Sequence, residues 1–199
     1  MGQSPAGMVW DESKGAFGPF DGQLFVSDQF QSSVMRVYLE EVNGHWQGAC
    51  IPWTNGLQCG VIRVAWAPDG SMFVGQTNRG WGSVGRATEG LERIRWTGKV
   101  PFEIHEMRAT PSGFELTFTE PVDPDTARDV ASYRMSSYTY LLHSPYGSGE
   151  VQTRELEIQE ARDAEDGQSV RLRIGGLRAG YVHELHAAGV RSKKGLPLL

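Results

Sequence analysis

A glycine-rich loop in the first half of the sequence carries the side chains best suited to bind a ligand. The segment Thr77 to Ser83 reads Thr-Asn-Arg-Gly-Trp-Gly-Ser and brings Asn78, Arg79 and Trp81 close together along the chain. A flat indole, a fixed cation and an amide suit a sugar ring or a planar cofactor. The alternative is that Trp81 packs between neighbouring elements while Arg79 is solvated at their rim. The sequence leaves both interpretations open.

Arg63 is a second candidate for ligand binding. It interrupts an apolar strand that runs from Val61 to Trp66. Charged side chains are seldom buried without a partner, so Arg63 either contacts an anion or forms an interior salt bridge. Both remain open from the sequence alone.

Candidate metal ligands are sparse and poorly spaced. Glu120, Asp123 and Asp125 form a small acidic group, but calcium takes about six to eight oxygens, and carboxylates around two prolines favour turn and cap chemistry instead. His183 and His186 lie three positions apart on an apparent strand, which directs them to opposite faces. We expect no zinc site from them. No Gly-x-Ser-x-Gly elbow or phosphate loop indicates hydrolase or kinase chemistry.

The two cysteines, Cys50 and Cys59, flank a segment that contains Pro52, Asn55 and Gly56. This segment is able to bend back and bring the sulfurs within bridging distance. A disulfide and a pair of reduced, partly buried thiols are both compatible with the sequence, because connectivity does not follow from spacing.

Charge and hydropathy narrow the possible partners. The net charge is -5 and the pI is near 5.5, and the longest basic run is the Lys193-Lys194 pair, so nucleic acid is an unsuitable partner. No apolar run approaches the roughly 20 residues of a transmembrane helix. The first nine residues lack the basic-then-apolar order of a secretory signal.

Short apolar runs between turn residues predict an all-β chain that contains an internal repeat. A turn, a strand reading Leu/Met-Phe-Val, a loop and an arginine-bearing strand occur at 22–39 and again at 69–96. Each copy also begins with a short apolar strand, and each is expected to end with another, near Gly48 to Trp53 and near Val100 to Met107. Four strands at a period of about 50 residues are typical of β-propeller blades.

After Pro101 apolar and polar residues alternate within each strand, as at 114–118 and 170–174. This pattern predicts strands with one buried face and one solvent-exposed face. Asp123 and the residues after it suit a single capped helical turn, and Asp166-Gly167 is a hairpin signal. About seven short strands predict an immunoglobulin-like β-sandwich. The sequence therefore predicts two domains, an incomplete propeller of two four-stranded blades at 1–101 and the sandwich at 102–199.

Two blades do not close a propeller, which needs at least about four. The chain begins directly at what looks like a blade entry, so we expect a fragment whose missing blades come from the same polypeptide. Supply of these blades by another chain is the alternative.

The first domain resembles the end of the quinoprotein sugar and sorbosone dehydrogenase propellers, including large relatives with cytochrome modules. The resemblance spans roughly residues 3 to 100. Its first two segments are Ser4-Pro5-Ala6-Gly7-Met8 and Phe20-Asp21-Gly22-Gln23-Leu24-Phe25-Val26. The third combines Val61-Ile62-Arg63-Val64 with Ala67-Pro68-Asp69-Gly70-Ser71-Met72-Phe73-Val74. The second domain is similar to bacterial immunoglobulin-like domains through Leu116 to Asp123, Thr126-Ala127 and the closing glycine-rich segment. Such modules stabilise, space or bind.

The resemblance implies the C-terminal portion of a periplasmic or secreted sugar dehydrogenase that uses pyrroloquinoline quinone with calcium, is joined by a cytochrome c domain and acts on a sugar. Arg63 matches one cofactor-facing arginine of the family, with Asn78, Arg79 and Trp81 as further cofactor-binding candidates. Val61 and Val64 stand where the motif has its other arginine and its aspartate, and no histidine here matches the family's base. The chain is thus expected not to be catalytic by itself. The alternative is a non-catalytic scaffold that binds carbohydrate or protein.

Overall fold

The computed structural model describes residues 2–145 and 147–199. Regular structure in these residues is almost entirely β-strand, which confirms the all-β prediction; one α-helix, Pro124–Arg128, and one 3-10 helix, Val130–Ser132, interrupt it. The chain divides into two compact units on either side of the Val100–Pro101 bond. Within the described residues, no helix has the length and apolar character needed to span a membrane.

The first unit begins with a sheet of four antiparallel strands in chain order. These strands are β1, Pro5–Trp10; β2, Leu24–Asp28; β3, Ser33–Val42; and β4, His45–Thr54. β3 and β4 are joined through Asn43 and Gly44, whose φ angles of 51° and 78° lie in the left-handed region that a two-residue type I′ hairpin requires. Asparagine and glycine tolerate this conformation best, so the turn fixes the register of the hairpin.

The second sheet of this unit has three strands, β5, Val61–Trp66; β6, Met72–Thr77; and β7, Glu89–Ile94. The β5–β6 turn uses Gly70 at a φ of 77°, while the Asp69 carboxylate accepts hydrogen bonds from the amide and hydroxyl of Ser71. The prediction of a fourth strand near Val100 to Met107 is wrong for this sheet. That segment leads instead into a strand of the second unit, because Phe102 and its neighbours are buried in the core there.

An aromatic cluster holds the two sheets of the first unit together. Phe17 and Phe25 are buried, and their rings pack edge-on against Trp66 and Trp53, with centroids 4.7 Å and 4.8 Å apart respectively. The rest of this core comes from both sheets, chiefly Val34, Val61, Val64, Met72 and Val74. Burial of each such side chain is worth about 1.5–3 kcal/mol, so this interface dominates the stability of the unit.

The first strands of the two sheets run close together. A Cβ on Gly7 of β1 would stand 3.0 Å from the Cα of Arg63 on β5, so only glycine permits this approach without a shift. The indole of Trp66 also donates to the carbonyl of Trp10 over 2.6 Å. Adjacent first strands are expected of neighbouring propeller blades, whose assignment here stays a prediction.

The second unit contains one six-stranded antiparallel sheet in the order β13-β10-β11-β12-β9-β8. Its strands are β8, Ile104–Thr110; β9, Gly113–Phe118; β10, Arg134–Thr139; β11, Val151–Asp163; β12, Ser169–Gly175; and β13, Val182–His186. The long strand β11 pairs first with β10 and then with β12, and its register shifts between Ile158 and Glu160. A strand that changes partner at a bulge bends the sheet. The immunoglobulin-like sandwich stays a prediction.

Both halves of this bent sheet contribute to one core. Leu116, Leu172 and Met135 are buried in it, and Phe102 stacks on Phe118 with ring centroids 5.5 Å apart. The predicted helical turn is confirmed as α1, Pro124–Arg128, with the Asp123 carboxylate accepting from the Asp125 amide at its N-terminus. The predicted turn at Asp166-Gly167 also forms: Asp166 accepts from the amides of Gln168 and Ser169.

Both cysteines are free thiols in this structure. Cys50 Sγ lies 3.4 Å from the sulfur of Met35, whereas Cys59 is buried two positions before β5 and its amide donates to the side-chain oxygen of Gln76. Burial raises the pKa of each thiol, so both are poor nucleophiles near neutral pH.

His183 gives the second unit a pH-dependent stability. Its Nε2 accepts the Arg178 amide at 3.4 Å and its ring packs against Phe114, and burial lowers its pKa from the ordinary 6.5. Below pH 6.5 the unfolded chain binds the proton more readily than the folded one, so the free energy of unfolding falls as pH drops toward the lowered pKa. His183→Gln will flatten this slope, as measured by urea unfolding at several pH values above about 5.

His186→Gln is the matched control, because the His186 side chain is 68% exposed. It should leave the pH slope of the wild-type protein intact. Equal slopes in wild type and His183→Gln would contradict the assignment.

Candidate functional site

The loop between β6 and β7, residues 78–88, is held rigidly by the side chain of Asn78. The Asn78 amide donates to the carbonyls of Gly85 and Ala87, both over 2.8 Å, and its oxygen accepts from Ser83 Oγ at 2.6 Å and the Gly60 amide at 3.3 Å. One side chain thus satisfies donors and acceptors at four positions. Asn78 is a structural residue of the loop, and its polar atoms are already engaged.

The same loop is fixed against the β2–β3 turn of the first sheet. The Val84 amide donates to the carbonyl of Phe30 at 2.8 Å, and the Gly85 amide donates to Ser32 Oγ at 2.9 Å. The Gln29 side-chain amide reaches the Trp81 carbonyl at 3.3 Å. Loop and turn therefore form one surface, which we call the loop surface and define as residues 29–31 and 78–88.

Apolar side chains protrude from the loop surface. Trp81 is 78% exposed, Val84 is 61% exposed and Phe30 is 37% exposed. The alternative that Trp81 packs between neighbouring elements therefore does not hold among the described residues. A large exposed aromatic on a fixed backbone costs little entropy when it meets a ligand.

The loop surface is also positively charged at its rim. Arg79 and Arg86 are exposed, and within the described residues neither has a carboxylate in ion-pair range. Glu92 on β7 is committed to the Gln58 amide at 3.0 Å and to the Gln76 side chain at 2.6 Å. The two guanidinium groups are consequently available as hydrogen-bond donors.

Arg63 does not join this surface. It is exposed on β5, its guanidinium donates to the neighbouring Ile62 carbonyl at 2.8 Å, and its Cβ lies beside Gly75. The interior salt bridge considered from the sequence is absent among the described residues. Val61 and Val64, which flank Arg63, point into the core.

A groove of about 490 Å³ lies at the other end of β6, beside the β5–β6 turn. Two of its polar side chains are engaged with neighbouring residues: Asp69 pairs with Arg93 and accepts from Ser71, and the Trp66 indole donates to the Trp10 carbonyl. The hydrogen bonds from Ser71, more than the charge of Arg93, hold the pKa of Asp69 below its usual range. Asp69 and Trp66 of the groove are thus committed to contacts within the described part of the chain, whereas the guanidinium groups of Arg79 and Arg86 of the loop surface are not.

The acidic residues and histidines that the sequence offered as metal ligands have structural roles instead. Glu120 pairs with Lys194 over 2.7 Å and Asp123 caps α1, so the acidic group is dispersed. The described residues contain no group of three or more histidine, cysteine, aspartate or glutamate side chains placed to hold a metal. His183 and His186 lie on β13 as predicted for a strand.

Sequence reasoning identified Arg79 and Trp81 but missed Phe30, Val84 and Arg86. Phe30 belongs to the loop surface only through the packing of two sheets, and no spacing in the sequence reveals that. Arg86 and Val84 lie five and three positions after Trp81 and were detectable as part of the same loop.

The rigidity of the loop can be tested at two glycines three positions apart. A Cβ on Gly85 would stand 2.5 Å from the Gln58 carbonyl and 2.7 Å from the Cys59 Cα, whereas a Cβ on Gly82 would meet no atom within 4 Å. Gly85→Ala should destabilise the first unit by about 1–3 kcal/mol, since backbone must move to accommodate it. Gly82→Ala should change stability by less than about 0.5 kcal/mol. Denaturant unfolding followed by tryptophan fluorescence measures both, and equal effects would show that the loop is not packed as described.

Comparison with known proteins provides no assignment for this arrangement. The chain matches no family model, no curated protein and no solved structure.

Proposed function

We propose that this protein is a binding scaffold whose loop surface takes a carbohydrate. The observation that carries the proposal is Trp81, 78% exposed on a loop that the side chains of Asn78 and Ser83 hold in place by hydrogen bonds. A protein gains nothing in stability from an aromatic ring held in water. Its flat face is, however, well matched to the apolar face of a sugar ring.

The neighbouring groups supply the polar half of sugar recognition. Arg79 and Arg86 present planar donors for ring hydroxyls, and they lie on the same short loop as Trp81. Because Asn78 and Ser83 fix the loop before any ligand arrives, little conformational entropy is lost on binding. Phe30, 37% exposed, adds apolar area on the β2–β3 turn.

Pyrroloquinoline quinone fits the residues of this chain poorly. The Asn78 amide is consumed by backbone carbonyls, and Arg63 donates to Ile62 instead of converging with Arg79 and Trp81. We derive no redox step from these residues. Cofactor binding, calcium and a cytochrome partner stay predictions for a longer polypeptide that completes a propeller.

That longer polypeptide is the second candidate. One observation favours it: β1 and β5 lie side by side, with Gly7 against the backbone of Arg63, as the first strands of neighbouring blades would. In that arrangement the exposed guanidinium of Arg63 would face the central channel and contact an anion there. If the chain is part of such a dehydrogenase-like polypeptide, we expect that protein to be periplasmic or secreted.

Trp81→Ala tests the carbohydrate proposal. Titration of the purified protein with cello-, malto- and xylo-oligosaccharides by isothermal calorimetry should show binding that weakens about 5- to 150-fold in the variant, since truncation of an aromatic contact residue costs about 1–3 kcal/mol. Stability should be unchanged, because the ring makes no core contact.

Trp46→Ala is the matched control: Trp46 is 71% exposed but lies on β4, away from the loop surface. It should bind the same oligosaccharides as the wild-type protein. Equal losses in both variants, or no binding to any oligosaccharide, would rule out the loop surface as the sugar site.

The second candidate predicts a different result. Arg63→Lys in the complete propeller protein should weaken binding of pyrroloquinoline quinone, because an ammonium cannot replace a bidentate guanidinium–carboxylate contact. Dye reduction with an aldose and calcium provides the readout. Unchanged cofactor affinity would remove Arg63 from the site.

A further inference from the structure

The first sheet has a second apolar face, which the described structure covers only at one end. There the N-terminal residues lie against it, and a Cβ on Gly2 would stand 2.8 Å from the Met35 Cε. The inner face of the sheet, defined by Val9, Phe25 and Val34, packs against the second sheet through the aromatic cluster. Paired residues of a sheet share a face, so the register fixes what lies on the other side. We call that side the outer face.

The outer face is apolar across all four strands. One row across the sheet is formed by Trp10, Leu24, Val37 and Cys50, and a second by Met8, Val26 and Met35. The contact between the sulfurs of Cys50 and Met35 confirms that the two rows lie together. Leu39 and Trp46 continue the face onto the β3–β4 hairpin, where Glu41 is exposed. Asp28 lies on the same side at the other end of the sheet, where it is buried and accepts from the amides of Gln3 and Ser4.

Much of this apolar surface is open to solvent. Met8 is 61% exposed, Trp10 47%, Leu39 37% and Trp46 71%. Together these four side chains present roughly 500 Å² per molecule, which is in the upper part of the range for the largest apolar patch of a monomeric protein, and patches of this size are often interaction sites. The outer face of the second sheet differs, because it carries Arg63 and Arg93, with the Arg93 guanidinium above the Phe73 ring at 5.6 Å.

The sequence of the first sheet also fits burial on both faces. β2 begins with three successive apolar residues, Leu-Phe-Val, and its last four residues are all buried, while β7 alternates between exposed and half-buried positions. Continuous apolar strands belong to sheets that are covered on two sides, and alternating strands to sheets with one wet face. The first sheet is built to be an inner layer.

We propose that a second copy of this chain covers the outer face, by a two-fold contact in which the two outer faces pack on each other. Two such faces would bury about 1,000 Å², the lower bound for a specific interface. Each face is self-complementary, because its centre is apolar: Asp28 is buried beneath the N-terminal residues at one end and Glu41 lies at the hairpin end. The net charge of -5 therefore does not set like charges against each other at the centre of the face. The inner face shows that this kind of sheet surface packs against another sheet.

Sedimentation equilibrium of the purified chain between about 1 and 100 µM tests the proposal, since an interface of this size supports micromolar dissociation constants. The wild-type protein should be a dimer at the upper concentrations. Met8→Glu and Trp46→Glu should each weaken the dimer at least tenfold, because each buries a charge against an apolar face. Circular dichroism of these exposed-site variants should match the wild type.

Leu91→Glu is the matched control: Leu91 is 71% exposed, lies on β7 and introduces the same charge on the other sheet. It should dimerise like the wild type. Met8 separates face packing from edge pairing, because it lies on β1, three strands from the free edge at β4. A dimer broken by Trp46→Glu and retained in Met8→Glu would therefore indicate pairing of β4 edges and overturn the proposal.

A wild-type protein that is monomeric throughout this range would overturn it as well, as would a ladder of larger species, since a two-fold contact closes after two copies. The carbohydrate proposal is independent of these outcomes. Trp81→Ala should leave the dimer intact, and Met8→Glu should leave oligosaccharide binding intact, so failure of one proposal is distinguishable from failure of the other.

Discussion

The packing of the aromatic cluster between two sheets is the interaction on which the first unit depends. A sheet with an apolar face must bury that face against another element to be stable, and here each of the two sheets does this for the other. Phe17 from the β1–β2 connection, Phe25 and Trp53 from the first sheet and Trp66 from the second bury one another at centroid distances of 4.7 to 5.9 Å. Because the β2–β3 turn and the β6–β7 loop are carried by these sheets, the same packing brings the two halves of the loop surface together.

Local chemistry explains which parts of the fold could be predicted from the sequence. The Asp123 cap, the Asp166-Gly167 turn and the repeated strand pattern each depend on residues a few positions apart, and each appears in the structure. The expected fourth strand near Val100 depended on the repeat alone. A strand near there does form, as Ile104–Thr110, but its partner is Gly113–Phe118, because strand propensity carries no information about which neighbour will pair.

The candidate site was predictable to the extent that it lies in one loop. The exposed Trp81 and Arg79 were recognisable from their residue types, but Asn78 illustrates the limit of that reasoning. An asparagine in a glycine-rich loop has the same sequence appearance whether its amide meets a ligand or the chain's own carbonyls, and here it meets Gly85 and Ala87. The sequence also does not show which of two equivalent arginines is buried. Arg36 and Arg93 lie at comparable positions of the two repeats, yet Arg36 is buried over the Phe20 ring and Arg93 is partly exposed.

The contrast between these two arginines follows from the different surroundings of the two sheets. Arg36 lies on the inner face of the first sheet, where Gln23 accepts its hydrogen bond and the Phe20 ring covers its charge at 4.5 Å. Arg93 lies on the wet face of the second sheet and pairs with Asp69. A buried guanidinium is tolerated only where neighbours replace its hydration, so the first repeat has been adapted to an interior position and the second to a surface. The repeat therefore conserves the path of the chain while the environment of each face sets the role of its side chains.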